Sequence, residues 1–298
     1  MNLFITGGTG LVGSTLIGAL TEDYKVTVLT RDTDHAREVL GDRVRLVTDL
    51  DELKHLNEFD IVLNLAGEPI ADKRWTARQK EKICQSRWHI TDKLSELIQA
   101  SEQPPVLFIS GSAVGYYGRQ GNKLVTEDET HCYDEFSHKV CAKWEKLALR
   151  AESEQTRVCL LRTGIVLSDH GGALQKMLPA FRFGLGGPIS KGDQYMSWIH
   201  LQDMISAIRF LMVQGDAKGP YNLTAPEPVT NEQFSRTLAE TLNRPCLFRV
   251  PAFMLRLMFG EMADLLLYGQ RVLPRRLEQA GFHFRFQQLP GAMTDLLS

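Results

Sequence analysis

Directly behind its first apolar run, NLFIT (2–6), the chain reads TGGTGLVG (Thr6–Gly13) and continues as LVGSTLIGAL. A strand, a glycine turn and a helix in immediate succession leave few folds open, because they form the cradle that holds a dinucleotide. Gly7 permits the tight turn, Gly10 lets the backbone approach a pyrophosphate, and Gly13 allows the helix to pack close against the sheet. The backbone amides around Thr9, Leu11 and Val12, at the helix N-terminus, then face the anion.

The rest of the chain repeats this rhythm. Apolar runs KVTVLT (25–30), VRLV (44–47), DIVLNLAG (60–67), PVLFISGS (105–112) and TRVCLLRTGIVL (156–167) alternate with stretches of helical spacing such as DKLSELIQA. That alternation predicts an α/β fold, a Rossmann-like doubly wound parallel sheet with helices on both faces. After Leu167 the texture changes to glycine-rich and aromatic loops, then one more strand-like piece, GPYNLT, and a helical C-terminal third. We therefore expect a nucleotide-binding domain over 1–167 plus 196–222. A smaller C-terminal substrate lobe would take 168–195 plus 223–298, with a cleft between the two.

The ends of the second and fourth strands carry the remaining cofactor signals. Where a cofactor without a 2′-phosphate would want an acidic residue, the second strand ends Leu29-Thr30-Arg31. A guanidinium fork there can hold a phosphate dianion bidentately, so NADP(H) is expected over NAD(H). The alternative is a solvated surface arginine, and the neighbouring Asp32 argues the other way. Leu65, Ala66, Gly67 and Glu68 close the fourth strand with small residues, which suits a backbone passing beneath the nucleotide. Asp49 is either an adenine contact or a turn residue.

Composition narrows the partners. A formal charge of -2 with 43% apolar residues gives no electrostatic reason to expect nucleic acid or a membrane. A small-molecule substrate is the default, with a homodimer left open. The five scattered cysteines lack metal or disulfide spacing, so no metal site is expected and a reducing cytoplasm fits. MNLFITGG enters the folded pattern at once, and no leader or membrane span is expected.

TGGTGLVG, NLAGE, ISGSAVGYYG and WIHLQD, in this order, resemble the extended short-chain dehydrogenase/reductase superfamily. The strings ADKRW, GGALQKMLPAFRFGLGGPI, SWIHLQDM, GPYNLTAPEPVTN and YGQRVLPRRLEQAGF look like an atypical branch, the nucleotide-sugar epimerase-like "epimerase family proteins". The likeness covers nearly the whole chain. It implies NADP(H) binding and reductase or epimerase chemistry on an unassigned substrate. It also implies a catalytic Ser, Tyr and Lys, in which Lys lowers the Tyr pKa and holds the nicotinamide ribose while Tyr exchanges a proton with the substrate.

Here the chain departs from its resemblance. Ser112 matches the serine position, with a turn serine as the alternative reading. Anchoring the pattern Tyr-x-x-x-Lys-x-x-x-Glu on Glu145 puts Ser137 at the tyrosine position and Cys141 at the lysine position. Both key functions are missing. Lys139 and Lys143 fall on the far side of that helix; His138 and the loop tyrosines Tyr116, Tyr117 and Tyr133 are the remaining proton donors. Aligning the superfamily's Asn-x-x-Gly-Thr on Thr91 puts Arg87 at the Asn position. It would aim a cation at the cleft, gripping a pyrophosphate or an acidic substrate with Ser86, and Glu68 is its expected counter-charge.

The substrate side is less informative. Loop 184–197 has the glycines of a lid, and Phe181, Phe183, Tyr195 and Trp198 either cover a ligand or pack in the core. Asp203 is expected to cap a helix, Thr230 and Gln233 to form a capping box, and Arg271, Arg275 and Arg276 to lie on a solvated face. Two functions remain in play: an NADP(H)-dependent reductase or epimerase, and a non-catalytic NADP(H)-binding sensor or scaffold.

Overall fold

In a computed structural model describing all 298 residues, the glycine turn joins strand β1 (Asn2–Thr6) to helix α1 (Leu11–Ala19). The chain continues through β2 (Lys25–Leu29), α2 (Thr33–Leu40), β3 (Arg45–Val47), β4 (Ile61–Asn64), the long helix α3 (Ala77–Gln99) and β5 (Leu107–Ala113). A short strand β6 (Leu124–Val125) and helix α4 (Phe136–Ala148) precede β7 (Arg157–Thr163). Beyond these lie β8 (Ile165–Leu167), α5 (Gly172–Arg182), β9 (Tyr195–Met196), β10 (Trp198–His200), α6 (Leu201–Val213) and β11 (Gly219–Leu223). The C-terminal part comprises β12 (Val229–Thr230), α7 (Asn231–Thr241), α8 (Ala252–Phe259), α9 (Asp264–Leu267), β13 (Arg271–Val272), α10 (Arg275–Gln279) and α11 (Leu289–Leu297).

Seven of these strands form one parallel sheet in the order β11-β7-β5-β4-β1-β2-β3. The expected Rossmann-like doubly wound architecture is therefore what the chain adopts. Its faces follow from alternation along each strand. Leu3 and Ile5 point into a core shared with α1 and α6, while Phe4 points into the opposite core with Leu94, Leu97 and Ile98 of α3. Each such fully buried side chain contributes about 1.5–3 kcal/mol. The strand order reverses at β1/β4, where parallel sheets of this type open a crevice at their carboxyl ends.

A third core, built from α5, α7 and α11 with Trp198 and Phe234 at its centre, forms the C-terminal lobe. Two segments differ from their sequence reading. TRVCLLRTGIVL is not one strand: at Gly164 the chain leaves the main sheet, and β8 pairs with β10 instead. Gly164 makes the break possible, since a Cβ there would sit 2.4 Å from the Ser197 carbonyl oxygen, and Ile165 N–H donates to that same oxygen at 2.8 Å. Secondly, Leu277, Phe282 and Phe284 pack into the nucleotide-binding core rather than the lobe. The C-terminal segment thus straps the two bodies together.

Asp203 fastens that strap. It does not cap α6, as expected; His200 does, its Nδ1 accepting from Gln202 N–H at 3.1 Å. The Asp203 carboxylate instead accepts from the backbone amides of Arg285 and Phe286, both at 2.8 Å. His200 stacks on Phe286 at 3.9 Å between ring centroids, and burial lowers its pKa. The capping box of Thr230 and Gln233 forms as expected. Asp203→Ala strands two amides, one part-buried and one buried, and is expected to lower the unfolding free energy by about 2–4 kcal/mol, measured by urea denaturation; a loss within experimental error would dismiss the strap.

Candidate functional site

The crevice at β1/β4 is lined by the glycine turn. Gly7 has φ +71°, and a Cβ on it would lie 2.7 Å from the Leu65 carbonyl carbon and oxygen and 2.8 Å from Ala66 N. A Cβ on Gly13 would meet the Gly7 oxygen at 2.3 Å. These two glycines therefore lock the turn against the end of β4 and press α1 onto it. Gly10 differs: an added Cβ would touch only the Gly7 oxygen, at 3.4 Å, so its outer face is open. It is also the N-cap of α1, with no side-chain cap and no acidic residue in the first turn. An uncapped helix N-terminus over an open glycine face fits a pyrophosphate. Thr6 Oγ1 ties the floor together, donating to Asn64 Oδ1 at 2.6 Å and accepting from Ala66 N–H at 3.3 Å.

Arg31 stands exposed at the end of β2. Asp32 beside it is occupied, since its carboxylate caps α2 by accepting from His35 N–H at 3.0 Å. Asp49 makes the turn contact, accepting from Asp51 N–H at 2.9 Å.

On the other side of the switch point, the two α4 positions that the resemblance aligns with the tyrosine and the lysine are packed into the core. Ser137 is buried and donates to Glu135 at 2.8 Å. Cys141 is buried too, and desolvation pushes its thiol up to about 12, which leaves it without the thiolate that nucleophilic chemistry needs. Lys139 and Lys143 are exposed on the far face, as expected. His138 Nδ1–H donates to the Tyr116 carbonyl, and Tyr117 is fully buried, with desolvation raising its pKa. Tyr116 is half-buried and likewise raised by desolvation.

Ser112 is buried at the end of β5, and its hydroxyl donates to Glu145 Oε1 at 2.7 Å. Glu145 pairs bidentately with Arg162: Nε to Oε1 and Nη2 to Oε2, both at 2.9 Å. Arg162 also donates from Nη1 to the Tyr117 hydroxyl at 2.9 Å and lies 3.6 Å above the Tyr116 ring. Tyr117 in turn donates to Asn222 at 2.7 Å. Sequence reasoning missed this network. The available signal was Arg162 itself, the one charged residue inside the apolar run VCLLRTGIVL, which buried in a sheet requires a carboxylate partner.

Arg87 reaches the cleft, but without its expected partner. Glu68 turns outward to Lys82 at 3.0 Å, which holds its carboxyl below the usual range. Arg87 is half-buried beneath Gly67, whose hypothetical Cβ would lie 2.9 Å from the guanidinium carbon. Its Nη1 donates to Ile83 O at 3.0 Å and weakly to Ser86 Oγ at 3.4 Å, and the guanidinium lies 5.3 Å from the Trp144 ring. Ser86 Oγ accepts from Glu68 N–H at 2.9 Å.

On the substrate side, Phe181 and Trp198 are core residues, whereas Phe183 is 81% exposed. The expected solvated arginine face is only partly so. Arg276 donates from its backbone to Glu127 Oε1 at 3.2 Å and from Nη1 to Pro220 O at 3.3 Å, and Arg271 lies against Tyr195. Only Arg275 is exposed. No three His, Cys, Asp or Glu side chains converge as metal ligands, and no helix is long and apolar enough to cross a membrane.

Fold and crevice together define a Rossmann-type, dinucleotide-binding protein of the extended short-chain dehydrogenase/reductase kind. The chain belongs to the NAD dependent epimerase/dehydratase family, whose model matches residues 3–224; a second model, a domain of unknown function (DUF1731), matches 250–296. An epimerase family protein of Staphylococcus haemolyticus is 39% identical over 295 residues, covering 98% of each chain. The crystal structure of the human epimerase family protein SDR39U1 (isoform 2) with NADPH superposes with TM-score 0.90 at 31% identity over 99% of both chains. A nucleoside-diphosphate sugar epimerase of Corynebacterium glutamicum gives TM-score 0.76 at 30% identity, covering this whole chain and 58% of that one.

Glu145→Ala leaves Arg162 buried with no carboxylate and is expected to destabilise the fold by about 3–5 kcal/mol, measured by urea denaturation. Glu145→Leu combined with Arg162→Met should recover most of that loss; a double variant no more stable than the single one would contradict the pairing.

Proposed function

We propose that the protein is an NADP(H)-binding enzyme of reductase or epimerase type, acting on a small molecule in the crevice between the sheet and the C-terminal lobe. The observation that carries this reading is the uncapped N-terminus of α1 above the open face of Gly10. The amides around Thr9, Leu11, Val12 and Gly13 hold the pyrophosphate, Leu65–Gly67 support the nucleotide from below, and Arg31 takes the 2′-phosphate. That the human relative was crystallised with NADPH supports the same choice of cofactor. The coenzyme, when bound, supplies or accepts the hydride.

Ser112 is the residue we place at the reacting oxygen. With its proton given to Glu145, its Oγ offers lone pairs, so it orients a substrate hydroxyl as an acceptor. Glu145 is held by Arg162 and is the adjoining base through which a proton can pass to and from Ser112. A second reading, a non-catalytic NADP(H)-binding sensor, draws on the same geometry: Ser137 and Cys141 bring neither an acidic hydroxyl nor a cation, and Ser112 is only 5% exposed.

Fluorescence titration should show NADPH bound more tightly than NADH, with Arg31→Ala removing about tenfold or more of NADPH affinity alone. Equal affinity of the wild type for the two coenzymes removes Arg31 from its role. A panel of dicarbonyls, quinones and nucleotide sugars, followed at the nicotinamide absorbance and by product analysis, separates enzyme from sensor. Turnover lost in Ser112→Ala supports the first reading, and turnover unchanged in that variant overturns the placement of Ser112.

A further inference from the structure

A dinucleotide lying across the switch point puts one half over β1, β2 and β3 and the other over β4, β5 and β7. Arg31, at the end of β2, belongs to the first half. Arg87 belongs to the second. It lies beneath Gly67, just past the end of β4, and above Trp144, whose ring fills the space left by Gly111 of β5: a Cβ on Gly111 would lie 2.8 Å from that indole. Trp144 and Cys141 sit on adjoining turns of α4, and Cys141 Sγ is 3.7 Å from where a Cβ on Gly115 would be. Arg87 and Cys141 are close enough that each acts on the other's titration.

The surroundings of Arg87 are those of a cation held ready. One nitrogen is tied to the Ile83 carbonyl on the same helix, and the guanidinium lies over the Trp144 ring. Its Nε and Nη2 have no acceptor in the protein, and the nearest carboxylate, Glu68, is engaged by Lys82. Burial lowers its pKa, a cost that an arriving oxyanion or hydroxyl cluster would relieve. Gly67 contributes by lacking a side chain: any Cβ there would push the guanidinium away.

We infer that the cation missing from α4 is supplied by α3: Arg87 takes the oxygens of the nicotinamide-side ribose and its adjoining phosphate, at the place left by Cys141. This rests on the dinucleotide reading above and adds to it the residue that holds the second half of the ligand. A planar fork with two free nitrogens, Nε and Nη2, suits vicinal ribose hydroxyls or a phosphate edge, and unlike an ammonium it keeps its charge at every working pH.

Calorimetric titration of the intact protein with three ligands tests this. NADPH carries the whole dinucleotide, 2′-phospho-ADP-ribose lacks only the nicotinamide, and 2′,5′-ADP ends at the adenosine-side 5′-phosphate, without the second phosphate and ribose. Arg87→Met, which keeps an unbranched apolar stem and removes the charge, should weaken the first two by about tenfold or more and leave 2′,5′-ADP within about twofold. Arg87→Gln is read in the same way if the methionine variant does not fold. Unchanged affinity for NADPH overturns the assignment, as does an equal loss for all three ligands. Failure of the wild type to bind any of the three instead brings down the dinucleotide reading itself, so the two outcomes remain distinct.

Discussion

The contact on which the molecule turns is the one between Gly13 and the carbonyl of Gly7. With no side chain between them, α1 starts directly on the turn that ends β1, and the turn is in turn pressed against Leu65 and Ala66 at the end of β4. Three elements then share one point, at the place where the strand order reverses. A methyl group at either glycine would have to displace backbone, which no rotamer change can do. The helix N-terminus, with its unpaired amides and partial positive charge, is thereby fixed at the carboxyl end of β1, beside β4. The position of an anion follows from packing, and needs no charged side chain in the turn.

The other half of the crevice obeys a different logic. A helix facing the carboxyl ends of β5 and β7 would ordinarily be free to present polar groups to a ligand, yet α4 turns Ser137, Cys141 and Trp144 inward and buries them. The one ionised group it presents, Glu145, is neutralised by Arg162 from the sheet behind it. Such a pair gains little net stability over an apolar replacement, because both charges must leave water. What it does fix is direction: two parallel hydrogen bonds orient the carboxylate, and its Oε1 then fixes the hydroxyl of Ser112. Tyr116 and Tyr117 are drawn into the same network, which holds them by stacking and hydrogen bonding on the guanidinium instead of leaving them free to titrate.

How far this was legible from the amino-acid sequence depended on whether the signal was local. β1, β2, the glycine turn and the inward face of α4 are set by residues within one or two turns of each other, and the chain forms them where the periodicity places them. Gly164 shows the opposite case. Within TRVCLLRTGIVL nothing local distinguishes a strand that continues from one that breaks, because the reason for the break, the Ser197 carbonyl, comes 33 residues later in sequence numbering. Asp203 was misread for the same reason: a carboxylate in the first turn of a helix suits a cap locally, but two backbone amides more than 80 residues away claim it. The partnering of Glu68 failed on geometry alone, since Lys82 and Arg87 share one helix and differ in which way they leave it.

These two halves make different demands on the chain. Binding a dinucleotide calls for donors at the pyrophosphate and at both riboses, and the amides of a helix N-terminus serve at the pyrophosphate whatever α4 carries. Proton transfer requires a group whose pKa lies near the working pH, and the tyrosines and cysteines around Ser112 are displaced upward by burial. Binding and proton transfer are thus separable in this architecture. On the reading proposed above, the groups left for the second task are the buried Ser112–Glu145–Arg162 chain and, on the neighbouring helix, Arg87, whose Nε and Nη2 have no acceptor in the protein.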